Sequence, residues 1–211
     1  MEVATDFGRA RVRLHPAQAA QALLVLGHGA GGGIDAPDLK ATTVTALGLG
    51  VSVALVEQPY RVAGRRSPAP ATHLDSAWLA VIAALRSGDQ ADELAAPDAP
   101  ILVGGRSSGA RVACRTATTA GATGVICLAF PLHPPGQAGN PEKSRQGELD
   151  AAGVPVLVIQ GEKDPFGLPE SDLERGRSVV VVPGTHTLSN QGAVRDEVGI
   201  WLTAWLAGVV R

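Results

Sequence analysis

Ile101-Leu102-Val103-Gly104-Gly105-Arg106-Ser107-Ser108-Gly109-Ala110-Arg111-Val112-Ala113-Cys114 decides how the rest of the chain is read. Ile101 to Val103 form a short apolar run behind Pro100, the pattern of a strand covered on both faces. From Ala110 the residues favour helix, and Ala110, Ala113 and Cys114 give it one small packing face. Between the two lies Gly105-Arg106-Ser107-Ser108-Gly109, a G-x-S-x-G turn that puts a serine on a sharp strand-to-helix corner. Backbone crowds that corner, so the positions two before and two after the serine must be small. With Ser107 at the corner they are Gly105 and Gly109; with Ser108 they would be Arg106 and Ala110. The spacing therefore selects Ser107.

A serine hydroxyl needs a base, usually a histidine oriented by a carboxylate. At such a corner these follow the serine in the order carboxylate, then histidine. His186, in Val182-Pro183-Gly184-Thr185-His186-Thr187, follows a late strand at Val179 to Val182. His133 comes directly after the strand next to the corner, too early for the base, and is placed instead in a substrate pocket. The carboxylate is expected after the strand ending at Gln160, where Gly161-Glu162-Lys163-Asp164-Pro165 offers Asp164 in a proline-fixed turn. Glu162 and Asp172 are the alternatives.

Acyl transfer also requires N–H donors for the developing oxyanion. One is expected from the Ser108 amide. The other is expected from the loop His28-Gly29-Ala30-Gly31-Gly32-Gly33, at Ala30, with His28 pinning the loop. The same loop supports a rival reading. Gly27, Gly29 and Gly32 fit G-x-G-x-x-G after a strand, and Glu57 ends the next strand where a ribose-binding acid would stand in a dinucleotide enzyme. Helix signals begin only after Asp35-Ala36-Pro37, which leaves the glycines ahead of the helix.

The chain has 211 residues, 45% of them hydrophobic, with a net charge of −2, enough for one domain spanning 1–211. Near-neutral charge gives no electrostatic case for nucleic acid or an anionic membrane. Arginine outnumbers lysine and alanine abounds, as in a GC-rich bacterial coding sequence. Cys114 and Cys127 are expected to be buried reduced thiols, with no metal ligand set. The start lacks a signal-peptide pattern and no apolar run approaches membrane-spanning length, so a cytoplasmic protein is expected.

Outward from the corner, residues 8–14 alternate arginine with smaller side chains as an edge strand does, and Leu23 to Leu26 and Val51 to Val56 are further strands. Asp35 or Asp38 is expected to cap a helix ending at Gly48. Thr72 is expected to cap another, bearing Leu74, Trp78, Val81, Ile82 and Leu85 on one face. Residues 87–99 read as a polar connection. Val194, Val198, Trp201, Leu202 and Trp205 stripe a C-terminal helix. The fold class is α/β, a doubly wound, mostly parallel sheet with helices on both faces. Ligands bind such sheets at the carboxyl ends of the strands.

His28-Gly29-Ala30-Gly31-Gly32, the Ser107 corner, Phe130-Pro131-Leu132-His133-Pro134-Pro135, Gly161-Glu162-Lys163-Asp164 and Gly184-Thr185-His186 together resemble the α/β-hydrolase superfamily. More narrowly, they resemble its small dienelactone-hydrolase-like branch. That branch includes uncharacterised bacterial hydrolases and the hydrolase-like domain of a subunit of the eukaryotic NSL histone-acetyltransferase complex. The resemblance implies a serine hydrolase acting on an ester or thioester without a cofactor. It also leaves open a non-catalytic interaction module, as some members of the branch are. Dienelactone hydrolases proper use a cysteine nucleophile where Ser107 stands, so their activity is not carried over. The N-terminal segment is short for the superfamily, giving an expected six or seven strands, and Pro131 to Gly153 is too short for a large cap.

The partner expected is a small acyl substrate. Tyr60, Arg65 and Arg66, in the irregular stretch after a strand, are expected with Gly29 and Arg106 to line its site. Together with Arg61 and Arg111 they would make a basic rim for an acidic acyl group, unless salt bridges to Glu57 or Asp75 absorb the arginines. No apolar stripe demands an oligomer, and monomer and homodimer both stay open.

Overall fold

The computed structural model describes residues 1–87, 94–95 and 98–210, so most of the connection ahead of the corner strand lies outside the described residues. Among the described residues eight strands form one sheet, in the order β1-β2-β4-β3-β5-β6-β7-β8. They are β1 (Glu2–Thr5), β2 (Gly8–His15), β3 (Ala22–Gly27), β4 (Val51–Glu57), β5 (Ile101–Arg106), β6 (Gly124–Leu128), β7 (Val156–Gly161) and β8 (Arg177–Val182). From β4 across to β8 all neighbours are parallel, while β1 and β2 add an antiparallel margin.

That count exceeds the expected six or seven. The extra strand is β1, whose four residues bury only Val3 and so carry almost no periodic signal. A turn at Asp6-Phe7 joins it to β2, with the Phe7 amide donating to Thr5 Oγ1 at 3.2 Å. β2 is consequently an inner strand, not an edge. Its arginines face water while Ala10 and Val12 are buried.

Helices cover both faces. On one side α3 (Ala71–Ser87) and α4 (Ser108–Thr116) pack Trp78, Val81, Ile82, Ala110 and Ala113 against Val25, Val103 and Val125. On the other, α1 (Pro37–Gly48) and α6 (Gln191–Leu206) pack Leu39, Val194, Val198 and Trp201 against Leu24, Leu26, Leu102 and Ile126. Val25 and its neighbours Leu24 and Leu26 point to opposite faces, and both faces are apolar, so β3 reads as an unbroken hydrophobic run. Beneath the corner, Cys114 of α4 and Cys127 of β6 are free, fully buried thiols with sulfurs 3.4 Å apart.

Two expected caps are corrected. Ala36 occupies the cap position of α1 without a side-chain bond and Pro37 opens the helix, while Asp38 is buried inside the first turn. α3 begins at Ala71, which puts Thr72 within the helix. Short helices α2 (Pro59–Val62) and α5 (Gln146–Asp150) punctuate the two irregular stretches.

Candidate active site

Ser107 stands between β5 and α4 at φ 53° and ψ −109°, a conformation that L residues rarely adopt. What holds it there is close backbone packing. A Cβ on Gly105 would strike the Gly27 carbonyl, and one on Gly109 would strike the Gly27 and His28 carbonyls. The end of β3 thus passes directly against the turn. The Ser107 amide is tied to the Leu128 carbonyl at 2.9 Å.

Asp164 follows β7 in a tight loop, its N–H donating to Gly161 O at 3.0 Å. Its carboxylate is wholly buried. Oδ1 accepts the Phe166 amide at 2.9 Å. Oδ2 accepts both Gln160 Nε2 at 2.9 Å and His186 Nδ1 at 2.8 Å. The loop carrying His186 lies alongside, laced by Glu162 N–H to Val182 O and Lys163 N–H to Gly184 O, both at 2.9 Å. Phe166 rests on the imidazole with ring centroids 4.4 Å apart. His186 Nε2 lies 2.9 Å from Ser107 Oγ. A carboxylate only accepts, so Nδ1 bears the proton and Nε2 presents its lone pair to the serine hydroxyl. The alternatives are elsewhere: Glu162 pairs with Lys163 at 3.5 Å, and Asp172 caps a short turn and lies 3.7 Å from Arg177.

The glycine loop is pinned from beneath. His28 is buried and donates from Nδ1 to Gly29 O at 2.8 Å, while its Nε2 accepts the Gln58 amide at 3.1 Å. Burial lowers its pKa, which keeps it in this neutral form. Tyr60 Oη donates to Ala30 O at 2.8 Å, and burial pushes the phenol up to about 12. The Ser108 N–H, first in α4, has no carbonyl behind it within the helix to receive it.

The remaining expected site residues divide. Gly29 lies against the corner, where a Cβ would sit 3.6 Å from Ser107 Cβ and 3.0 Å from Arg106 Nη1. Arg106 is corrected: its guanidinium is consumed by Asp38 at 2.9 Å and by the His186 carbonyl at 3.0 Å. Arg111 is held by Glu148 in a two-point pair at 2.8 and 2.6 Å. His133 is buried, its amide donating to Phe166 O at 2.9 Å, so it braces the Asp164 loop. Tyr60, Arg65 and Arg66 line a cleft of about 650 Å³ with Gln58, His73 and Leu74. Arg65 and Arg66 are exposed and make no ion pair among the described residues.

For the dinucleotide reading, α1 begins at Pro37, beyond the glycines, and Glu57 is paired with Arg11 at 3.2 Å. The helix N-terminus is therefore not at the glycine run, where a pyrophosphate needs it. Sequence reasoning gave no role to Gln160 or Phe166 and took Asp38 only as a candidate helix cap. Gln160 left a signal, a lone amide ending the apolar run Val156 to Ile159; the other two left none.

A family model described as an alpha/beta hydrolase domain matches residues 20–189. No curated protein matches the chain. Among solved structures, Est1E from Butyrivibrio proteoclasticus with ferulic acid bound is 16% identical with a TM-score of 0.77, covering 98% of this chain and 99% of that one. A dienelactone hydrolase from Anabaena variabilis is 16% identical with a TM-score of 0.71, covering 100% and 97%. An α/β serine hydrolase without a lid from Xanthomonas campestris is 18% identical with a TM-score of 0.67, covering 95% and 93%.

Proposed function

The chain belongs to the α/β-hydrolase family, and from that premise we propose that it is a serine hydrolase that cleaves a small ester or thioester. The observation that carries the reading is the unbroken chain Asp164–His186–Ser107, with contacts of 2.8 and 2.9 Å. In this mechanism His186 Nε2 takes the Ser107 hydroxyl proton while Oγ bonds to the substrate carbonyl carbon. The amides of Ser108 and Ala30 receive the oxyanion. The bond to the leaving alcohol or thiol breaks, and that group departs with the proton from His186. Water then gives a proton to Nε2 and its oxygen to the acyl carbon. Ser107 leaves with the proton, and the free acid is released. Asp164 keeps the imidazole in the required tautomer and faces the imidazolium charge. No step calls on a metal or organic cofactor.

The cleft beside Tyr60 supports a substrate carrying a carboxylate. Arg65 and Arg66 line it, exposed and paired with no carboxylate among the described residues. β4, which leads into the cleft, is separated by β3 alone from β5, which ends at the nucleophile turn.

The test is intact mass after treatment with a fluorophosphonate, for wild type and Ser107→Ala. One adduct on wild type, absent from the variant, is the expected result. No adduct on folded wild type would reject an activated serine and turn the search towards a protein partner.

A further inference from the structure

We infer that Arg106, half-buried between the nucleophile turn, the base loop and the first turn of α1, is a positioning residue that sets His186 against Ser107. The inference rests on the serine-hydrolase reading and adds a fourth side chain to it. Three contacts carry it. Nη2 donates to the backbone carbonyl of His186 at 3.0 Å, the residue whose ring must meet Ser107. Nε lies 2.9 Å from Oδ2 of Asp38, whose side chain has no exposure to solvent. Nη1 lies under Gly29, so close that a Cβ there would sit 3.0 Å from it. Arg106 itself immediately precedes Ser107.

One planar group therefore spans the serine, the base and the glycine loop. Geometry favours arginine for this task. A guanidinium carries five N–H donors in a fixed fork and stays charged, so it can face a buried anion with one edge while donating to a carbonyl from another nitrogen. A lysine ammonium lacks that fork. Asp38 supplies the anchor: burial raises its pKa, and the Arg106 charge opposes that rise. The Leu39 amide, donating to Asp38 Oδ1 at 2.9 Å, fixes the carboxylate to α1. The path thus runs from α1 through Asp38 and Arg106 to the base loop, and no member of it touches the reacting atoms.

The consequence is specific to register between His186 and Ser107. A small displacement of a catalytic group costs orders of magnitude in rate, without a matching change in substrate binding. Arg106→Gln is expected to lower kcat on p-nitrophenyl acetate by about 10- to 100-fold with little change in KM. The rate of fluorophosphonate labelling at Ser107 should fall by a similar factor. Asp38→Asn should act in the same direction, and the double variant should be no worse than Arg106→Gln alone, because the two residues act as one unit.

A readout independent of turnover is the low-field proton resonance of His186 Nδ1–H, donated to Asp164. It should be present in wild type and lost or broadened in Arg106→Gln. Arg106→Lys keeps a charge beside Asp38 but not the reach to both partners, so it serves where Arg106→Gln does not fold, and should recover part of the labelling rate. Unchanged labelling per folded molecule together with an unchanged resonance overturns the inference and reduces Arg106 to a structural ion pair. Were wild type to resist labelling, the hydrolase reading would fall, while the resonance in wild type and variant would still decide what Arg106 does.

Discussion

Tyr60 donates its hydroxyl to the carbonyl of Ala30 across 2.8 Å, so the wall of the cleft is tied to the loop beside the nucleophile. Burial pushes the phenol pKa up to about 12, so the hydroxyl carries its proton at neutral pH and can donate. Tyr60→Phe keeps the ring and strands the carbonyl. The expected cost is about 1 kcal/mol in urea unfolding, with kcat reduced roughly tenfold through the displaced Ala30 amide. Equal kcat in the two proteins would separate the tyrosine from the reaction.

Gly109→Ala drives a methyl group into the carbonyls of Gly27 and His28, both backbone atoms that cannot rotate aside. The expected loss is about 1–3 kcal/mol of stability, with Ser107 no longer labelled even in the folded fraction. Ala110→Gly, one position on, creates no such collision and serves as the contrast.

Gln160 Nε2 lies 2.9 Å from Asp164 Oδ2 and 3.0 Å from each of the Phe130 and Gly167 carbonyls, its two N–H groups shared among the three acceptors. Gln160→Leu takes a donor from all three acceptors; Asp164 Oδ2 keeps His186 and the Phe130 carbonyl keeps the Leu132 amide, so the Gly167 carbonyl bears most of an expected cost of about 1–3 kcal/mol. Because Asp164 then loses one of its two anchoring donors on Oδ2, kcat should drop alongside the melting temperature. A stability loss with full kcat would show that His186 and the Phe166 amide suffice to orient the carboxylate.

His28 predicts the direction of acid sensitivity. Its folded pKa lies below the ordinary 6.5 because of burial, so below that value the unfolded chain takes up a proton that the native state refuses. The contribution of His28 to stability is therefore present above about pH 6.5 and is lost as the pH drops further. His15, lowered chiefly by burial as well, acts in the same sense, so the informative quantity is a difference. Unfolding free energies at pH 7.5 and 5.5 should diverge less in His28→Asn than in wild type, and identical slopes would remove His28 from the account.

Arg65 and Arg66 predict a preference set by substrate charge. Hydrolysis of p-nitrophenyl hemi-esters of adipate and suberate, each compared with the neutral ester of equal chain length, gives a ratio of kcat/KM values. The ratio should exceed one in wild type, approach one in Arg65→Ala/Arg66→Ala, and invert in Arg65→Glu/Arg66→Glu. A ratio indifferent to these changes would leave the cleft without a role in selecting the acyl group.

The corner at Ser107 was legible because its demands are local: two glycines, one strand run and one helix, all within a few residues. The order of serine, aspartate and histidine was legible because a parallel sheet presents each loop at the same edge, so position along the chain translates into position in space. What escaped was the set of contacts between distant segments. Nothing near Asp38 in the chain announces that Arg106 will meet it, and arginines look alike in sequence whether they end in solvent, as Arg65 does, or against a buried carboxylate. The first strand escaped for another reason. A four-residue segment with one buried side chain has no period to detect, and it exists because β2 offers it a partner.

The two thiols under the nucleophile turn give the molecule a built-in gauge of its own opening. Cys114 and Cys127 are sealed between α4 and the sheet, and burial, together with the neighbouring sulfur, pushes the Cys127 thiol well above its ordinary range. Neither can meet a soluble alkylating reagent until the helix that begins one residue after Ser107 lifts from the strands. The rate at which a maleimide consumes them thus counts the excursions of that helix, and a bound acyl mimic that steadies the turn will be seen as a slower clock.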